Sequence, residues 1–119
     1  MSRAAVLSVL GFIVAVSGAA AERHEGSSEQ IRICVRNLSH ALPRMRAAAA
    51  RALAEIGGET AVQPLVERLA DHDADVRLSA ASALGRINKR PLLCVEQLAK
   101  LLRDKDEHVR YAAQWAIGQ

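Results

Sequence analysis

Aromatic side chains are almost missing from this chain, with one Trp, one Tyr and one Phe making up 3% of its 119 residues. Half of the residues are nevertheless apolar. The core therefore falls to Ala, Leu, Val and Ile, a composition that suits thin, closely approaching helices. Blocks of like charge are missing too: 16 basic and 13 acidic residues alternate along the chain, for a net charge of +3. That balance argues against a dedicated nucleic-acid arm, and no nucleic-acid partner is expected. Serine-hydrolase, phosphate-loop and dinucleotide fingerprints are all absent. No convergent His, Cys or carboxylate spacing suggests a metal either. We therefore expect no catalytic residue, no cofactor and no metal site, and the length suits a single domain.

What is present begins with a leader-like segment, MSRAAVLSVLGFIVAVSGAAA. Arg3 is a short positive region, Ala4 to Val16 is an uncharged apolar run, and Ala19, Ala20 and Ala21 form a small-residue cleavage site ahead of Glu22. The expectation is a signal peptide over residues 1–21 and a periplasmic or secreted mature chain. The competing expectation is an uncleaved membrane anchor, because the uncharged stretch of 18 residues from Ala4 to Ala21 approaches the roughly 17 to 25 that span a bilayer. Ser8, Gly11, Ser17 and Gly18 weigh against the anchor. Cleavage removes one cation and leaves 15 basic against 13 acidic residues, about +2. The polar residues 22–29, ERHEGSSE, read as a linker.

The rest of the chain repeats itself. DADVRLSAASALG at 73–85 returns 33 positions later as DEHVRYAAQWAIG. Working backwards, Val62, Leu65, Leu69, Asp71, Asp73, Val76 and Arg77 correspond to Val95, Leu98, Leu102, Asp104, Asp106, Val109 and Arg110. A fainter copy lies 31 positions upstream, where Ile31, Cys34, Leu38, Met45, Arg46, Ala49, Ala52 and Leu53 match Val62, Leu65, Leu69, Val76, Arg77, Ala80, Ala83 and Leu84. Three units result, at about 30–57, 58–88 and 89–119, with NKRP at 88–91 enlarging the second junction. Apolar residues recur at helical spacing within each unit, as in Val62, Leu65, Val66, Leu69 and then Val76, Ala80, Ala83, Leu84, Ile87. Each unit is expected to be two amphipathic helices. Asp73 and Asp106 stand where an N-cap would open the second helix, and Gly85 and Gly118 where a left-handed residue would close it. In the first unit Leu42 replaces the capping Asp, so that unit departs from the cap pattern. A single unit cannot bury its own apolar face, so the units stack.

The pattern D-x-x-V-R-x-x-A-A-x-A-L-G, carried by Asp73, Val76, Arg77, Ala80, Ala81, Ala83, Leu84 and Gly85 after Ala61, Val62, Pro64, Leu65 and Leu69, resembles the HEAT repeat in its phycobilisome-lyase subtype. The resemblance spans residues 30–118. It implies an all-α fold, a short α-solenoid of three HEAT-like helix pairs behind a signal peptide, and a non-enzymatic scaffold or adaptor that binds another protein. It also implies a structural role for Arg77 and Arg110, with Asp73 and Asp106 as their ionic partners. The alternative it raises is a lyase-like or cofactor-binding protein related to bilin lyases, which are longer chains that work in the cytoplasm.

The remaining singular residues sort by position. Cys34 aligns with Leu65 and reads as a small core residue, whereas Cys94 opens the third unit and is expected to be an exposed thiol available between chains. Units one and three lie two helix steps of about 10 Å apart, too far for a disulfide between them. His24-Glu25 resembles the paired motif of di-iron HEAT-like hydroxylases, yet stands alone in the linker, and one pair cannot hold two metals. His40, His72 and His108 fall on non-equivalent positions, the latter two in inter-helix turns. Tyr111 and Trp115, four residues apart, share a face of the last helix. The expected protein-binding face is lined by the second helices through Arg51, Ser82, Arg86, Tyr111, Gln114 and Trp115. Self-association through the C-terminal end of the stack is a further expectation, since nothing polar caps that end.

Overall fold

In a computed structural model of the chain, residues 28–87 and 92–119 are described. The leader at 1–21, the His24-Glu25 pair and the NKRP junction all lie outside them. Six α-helices follow one another without a strand among the described residues: α1 (Ser28–Asn37), α2 (Pro43–Ile56), α3 (Val62–Arg68), α4 (Ala74–Arg86), α5 (Leu92–Lys100) and α6 (Glu107–Ile117). A 3₁₀ turn at Glu59–Ala61 leads into α3, and another at Leu101–Arg103 leaves α5. The helices pair as α1 with α2, α3 with α4 and α5 with α6, giving the three units expected from the repeat. Helix α1 starts at Ser28, so the last two residues of the expected linker belong to the fold.

The second helices of the units form the spine. Helix α4 packs against α2 on one side and α6 on the other, more extensively than the first helices meet each other. The small-residue sequence makes this approach possible: Ala47, Ala50, Ala80, Ala81, Ala83, Ala113 and Ala116 are all fully buried between helices. Leucines and valines fill the space between the spine and the outer helices, with Leu53, Leu65, Leu84, Leu98, Val76 and Val109 wholly enclosed. Because α4 has a neighbour on each side, eight of its thirteen residues are buried, even Arg77 and Ser79. Helix α6 has one neighbouring spine helix and buries only Val109, Ala112, Ala113 and Ala116.

The capping expectation holds at the second-helix starts. Asp73 accepts from the backbone N–H groups of Asp75 and Val76, and Asp106 from those of His108 and Val109. Leu42 caps α2 with no side-chain hydrogen bond, and Pro43 supplies the preset φ of a first helical residue instead. Leu42 is 47% exposed, so replacing it forfeits little burial. We therefore expect Leu42→Asp to stabilise the protein and Asp73→Ala to destabilise it, each by about 1 kcal/mol. Urea titrations followed by circular dichroism check both, and equal midpoints for Leu42→Asp and wild type would refute the first.

The glycine expectation is corrected. Gly85 lies inside α4, which runs on through Arg86 to an extended Ile87, and Gly118 has an ordinary helical φ of −72°. Among the described residues the glycines with positive φ are Gly57 and Gly58, at 59° and 114°, which end α2 and turn the chain toward α3. Gly85 is a glycine for another reason. A Cβ placed there would stand 2.4 Å from the Trp115 ring and 2.9 Å from the backbone of Ala116, so its missing side chain is what lets α6 lie against α4.

Cys94 is corrected as well. It is fully buried, as is Cys34 apart from a small fraction, and neither is in a disulfide. Leu98 and Cys94 stand one helical turn apart, which places Cys94 on the inward face of α5. Burial holds the Cys34 thiol above its ordinary pKa, which fits an unreactive core residue.

Candidate interaction surface

The polar groups that the fold brings together form a ladder through the stack. Arg46 on α2 donates from Nε and Nη2 to the two carboxylate oxygens of Asp71 at 2.8 and 2.9 Å. Arg77 on α4 repeats the same two-pronged contact with Asp104, again at 2.8 and 2.9 Å. In each case Nη1 turns back to the chain's own unit, to the carbonyls of His40 and Ala41 or of Asp71 and His72. Each rung thus ties one unit to the next. Asp71 and Asp104 also accept from the N–H groups of Asp73 and Asp106, which fixes the turn before the second helix.

This corrects the expected partners. Asp73 and Asp106 are occupied in capping, and the carboxylates that meet arginine stand two residues earlier. The sequence carried a signal for it, since Asp71 and Asp104 recur at the 33-residue spacing although the cap position is already filled. An arginine fork approaching from the neighbouring unit also needs a carboxylate in the turn, where it faces sideways. A capping carboxylate points into its own helix.

Burial alone would push the Asp71 carboxyl up, but the hydrogen bonds from Arg46 and the Asp73 N–H, with the charges of Arg46 and Arg68, outweigh it and hold the group low. Asp104 is held low first by the hydrogen bonds from Arg77, working against burial, with the Asp106 N–H assisting. A carboxylate whose folded pKa is depressed contributes stability above its unfolded value of about 3.9 and loses it as pH falls toward the folded one. Thermal melts are therefore expected to fall steeply below about pH 4. In Asp71→Asn, Asp104→Asn the acid-side decline should flatten, although the starting stability is lower. An unchanged slope would show that other carboxylates govern the acid transition.

The six expected interface residues do not share one face. Arg51, Ser82 and Trp115 hold equivalent positions along the spine, and Arg86 runs beside them. Arg51 reaches the Ser79 hydroxyl at 3.0 Å and lies 3.8 Å from the Asp75 carboxylate, and Arg86 pairs with Glu55 at 2.9 Å. These pairs are half exposed, so they cost little to separate. Tyr111 and Gln114 lie instead on the outer end of the stack. Their equivalents are Ala47 and Leu78, and Ala50 and Ala81, all covered at least in part by the following unit. Here Tyr111 is 75% exposed, and Gln114, Arg110 and Leu102 are exposed beside it. Trp115 bridges the two regions, with its ring edge over Gly85 and 41% of its surface open. It leans back on the preceding unit.

A second feature lies on the other side of the molecule. A groove of about 420 Å³ runs between α3 and α5, lined by Val66, Leu69, Leu101, Lys100, Lys105 and the ladder pair Arg77–Asp104. Among the described residues no group of His, Cys, Asp and Glu is placed to hold a metal ion, and no helix is long and apolar enough to cross a membrane.

A family model described as HEAT repeats matches residues 3–85 and 70–119. No curated protein matches the chain. The matched span starts at residue 3 and so takes in the segment read above as a leader.

Proposed function

Because the chain belongs to the HEAT-repeat family, we propose that it is a non-enzymatic adaptor that binds another protein through α6 and the adjoining spine, and that it works outside the cytoplasm after removal of residues 1–21. HEAT repeats commonly mediate protein–protein contact. The observation that carries the reading here is the placement of two of the chain's three aromatic residues, Tyr111 and Trp115, exposed at 75% and 41% on one helix. Interface energy concentrates in Tyr, Trp and Arg. At these two positions the earlier units have Ala47 and Leu78, and Arg51 and Ser82, so the aromatic pair is peculiar to the last unit.

Two experiments test this. Affinity capture from an envelope extract with the wild-type chain and with Tyr111→Ser, Trp115→Ser should identify a protein retained by the first and lost by the second. A retained set that is the same for both would end the reading. Intact mass of the protein recovered from an exporting host should begin at Glu22, and retention of residues 1–21 would remove the export part. An export leader and a HEAT helix are both rich in small and aliphatic residues, so only the mature terminus separates them.

The alternative, a lyase-like or cofactor-binding protein of the phycobilisome-lyase subtype, has the groove between α3 and α5 in its favour. That groove sets Lys100 and Lys105 beside Val66, Leu69 and Leu101, where a carboxylate-bearing ligand would find cations, although Asp71 and Asp104 line it too and it is more polar than apolar. Visible absorbance co-purifying with the protein would favour it over the adaptor.

A further inference from the structure

The two ends of the arginine–aspartate ladder are unlike. At each internal junction an arginine is first held by its own unit through Nη1, and its Nε and Nη2 then meet a carboxylate of the next unit. Arg110 repeats the first half. Its Nη1 donates to the Asp104 carbonyl at 2.7 Å, as Arg46 does to His40 and Arg77 to Asp71. No carboxylate among the described residues meets its Nε and Nη2. The fork is thus already oriented before any partner arrives, and little side-chain freedom remains to be lost on binding.

Among the described residues the opposite end lacks the matching half. His40 occupies the position of Asp71 and Asp104. Its Nδ1 accepts from the Leu42 N–H at 3.0 Å, as Asp71 and Asp104 accept from the N–H groups of Asp73 and Asp106. The imidazole therefore makes the turn. With Nδ1 accepting, its other nitrogen carries a proton, so it offers an incoming guanidinium no acceptor.

We propose that the end face built of Leu102, Arg110, Tyr111 and Gln114 docks a helix pair of another protein that presents a carboxylate to Arg110 as Asp104 presents one to Arg77, and that His40 keeps a second copy of this chain from filling that role. The proposal rests on the adaptor reading and specifies the partner's chemistry. Charge complementarity selects the carboxylate, because the same fork takes one at both internal junctions. The polar tips of Tyr111 and Gln114, where the buried junctions have Ala, Leu and Ala, let the face stand in water when empty. Docking is accordingly reversible.

A double variant, His40→Asp, Arg110→Ala, supplies the test. It carries a carboxylate at its first unit and no arginine at its last, so with the wild-type chain it completes one junction and stops. Sedimentation of the mixture should reveal a one-to-one complex that neither protein forms alone. Using Arg110→Ala in place of wild type should weaken it at least tenfold, about 1.4 kcal/mol. His40→Asp by itself carries both halves and should grow into head-to-tail chains, since such contacts do not close. Circular dichroism verifies that each variant is folded. A mixture that stays monomeric, a complex that persists without Arg110, or self-association of the wild-type chain would each overturn the proposal. None of these bears on the capture experiment with Tyr111 and Trp115, so the adaptor reading stands or falls separately.

Discussion

Replacing Arg77 with Ala is expected to lower the unfolding free energy by about 3 kcal/mol, the low end of what breaking a buried ion pair costs. The Arg77 and Asp104 side chains are 9% and 8% exposed, so the carboxylate left behind stays in a poorly hydrated site. The guanidinium also donates to the carbonyls of Asp71 and His72, and these lose their partner in the same step. A domain of this size has a total stability of roughly 5 to 15 kcal/mol, so the loss is a large part of it. Arg77→Lys should recover little, because an ammonium is a point charge that cannot span both carboxylate oxygens. Combining Arg77→Ala with Asp104→Ala should cost less than the sum of the two single changes, as no unpaired charge remains. Urea unfolding followed by circular dichroism measures all of these. A loss below about 1 kcal/mol for Arg77→Ala would mean that water reaches Asp104 freely and that the rung is a surface pair.

Gly85→Val is expected to cost about 3 kcal/mol, at the upper end for overpacking a tight helix contact. The first atom added already collides with the Trp115 ring at 2.4 Å and with the Ala116 backbone at 2.9 Å. The Trp115 ring, 41% exposed, can swing outward only by giving up its packing on Gly85, and a backbone atom can recede only if α6 moves as a body. Removing glycine from a helix interior ordinarily returns up to about 1 kcal/mol, and a β-branched residue returns less, so the steric term wins. Gly118 is the control at the equivalent position of the last unit. A Cβ there meets its nearest atom at 3.5 Å, ordinary contact, so Gly118→Ala should change stability by less than about 0.5 kcal/mol. Trp115→Ala in the Gly85→Val background should recover part of the loss and leave the share due to Ala116. Trp115 is the chain's one tryptophan, so its emission should shift toward the red in Gly85→Val if the ring is displaced into water. Equal stability of Gly85→Val and wild type would show that α6 is not held close to α4.

Much of the architecture was legible from the repeat. The 31- and 33-residue spacings located three units, and the helical spacing of Val76, Ala80, Ala83 and Leu84 identified the buried stripe of α4. Asp73 and Asp106 were legible as caps because capping depends on residues within one turn of each other. The errors fell where a residue's role depends on a neighbouring unit. Gly85 resembles a helix terminator in isolation, and its purpose is visible only when Trp115 lies over it. Asp71 looks like one acidic residue among several until Arg46 arrives from 25 positions away. Cys94 follows the junction that NKRP lengthens in the sequence and reads as exposed, yet it shares the inward face of α5 with Leu98.

The sequence by itself determined that this chain is a helical array built of Ala, Leu and Val, because periodicity and capping are local properties that each helix carries alone. The tertiary structure alone decided which charges meet and which surface remains open. Arg46, Arg77 and Arg110 hold equivalent positions in three similar units, yet two are tied to carboxylates and one faces outward. The difference arises from stacking, since each unit receives its ionic partner from the unit beside it, and among the described residues α6 packs against one neighbouring unit.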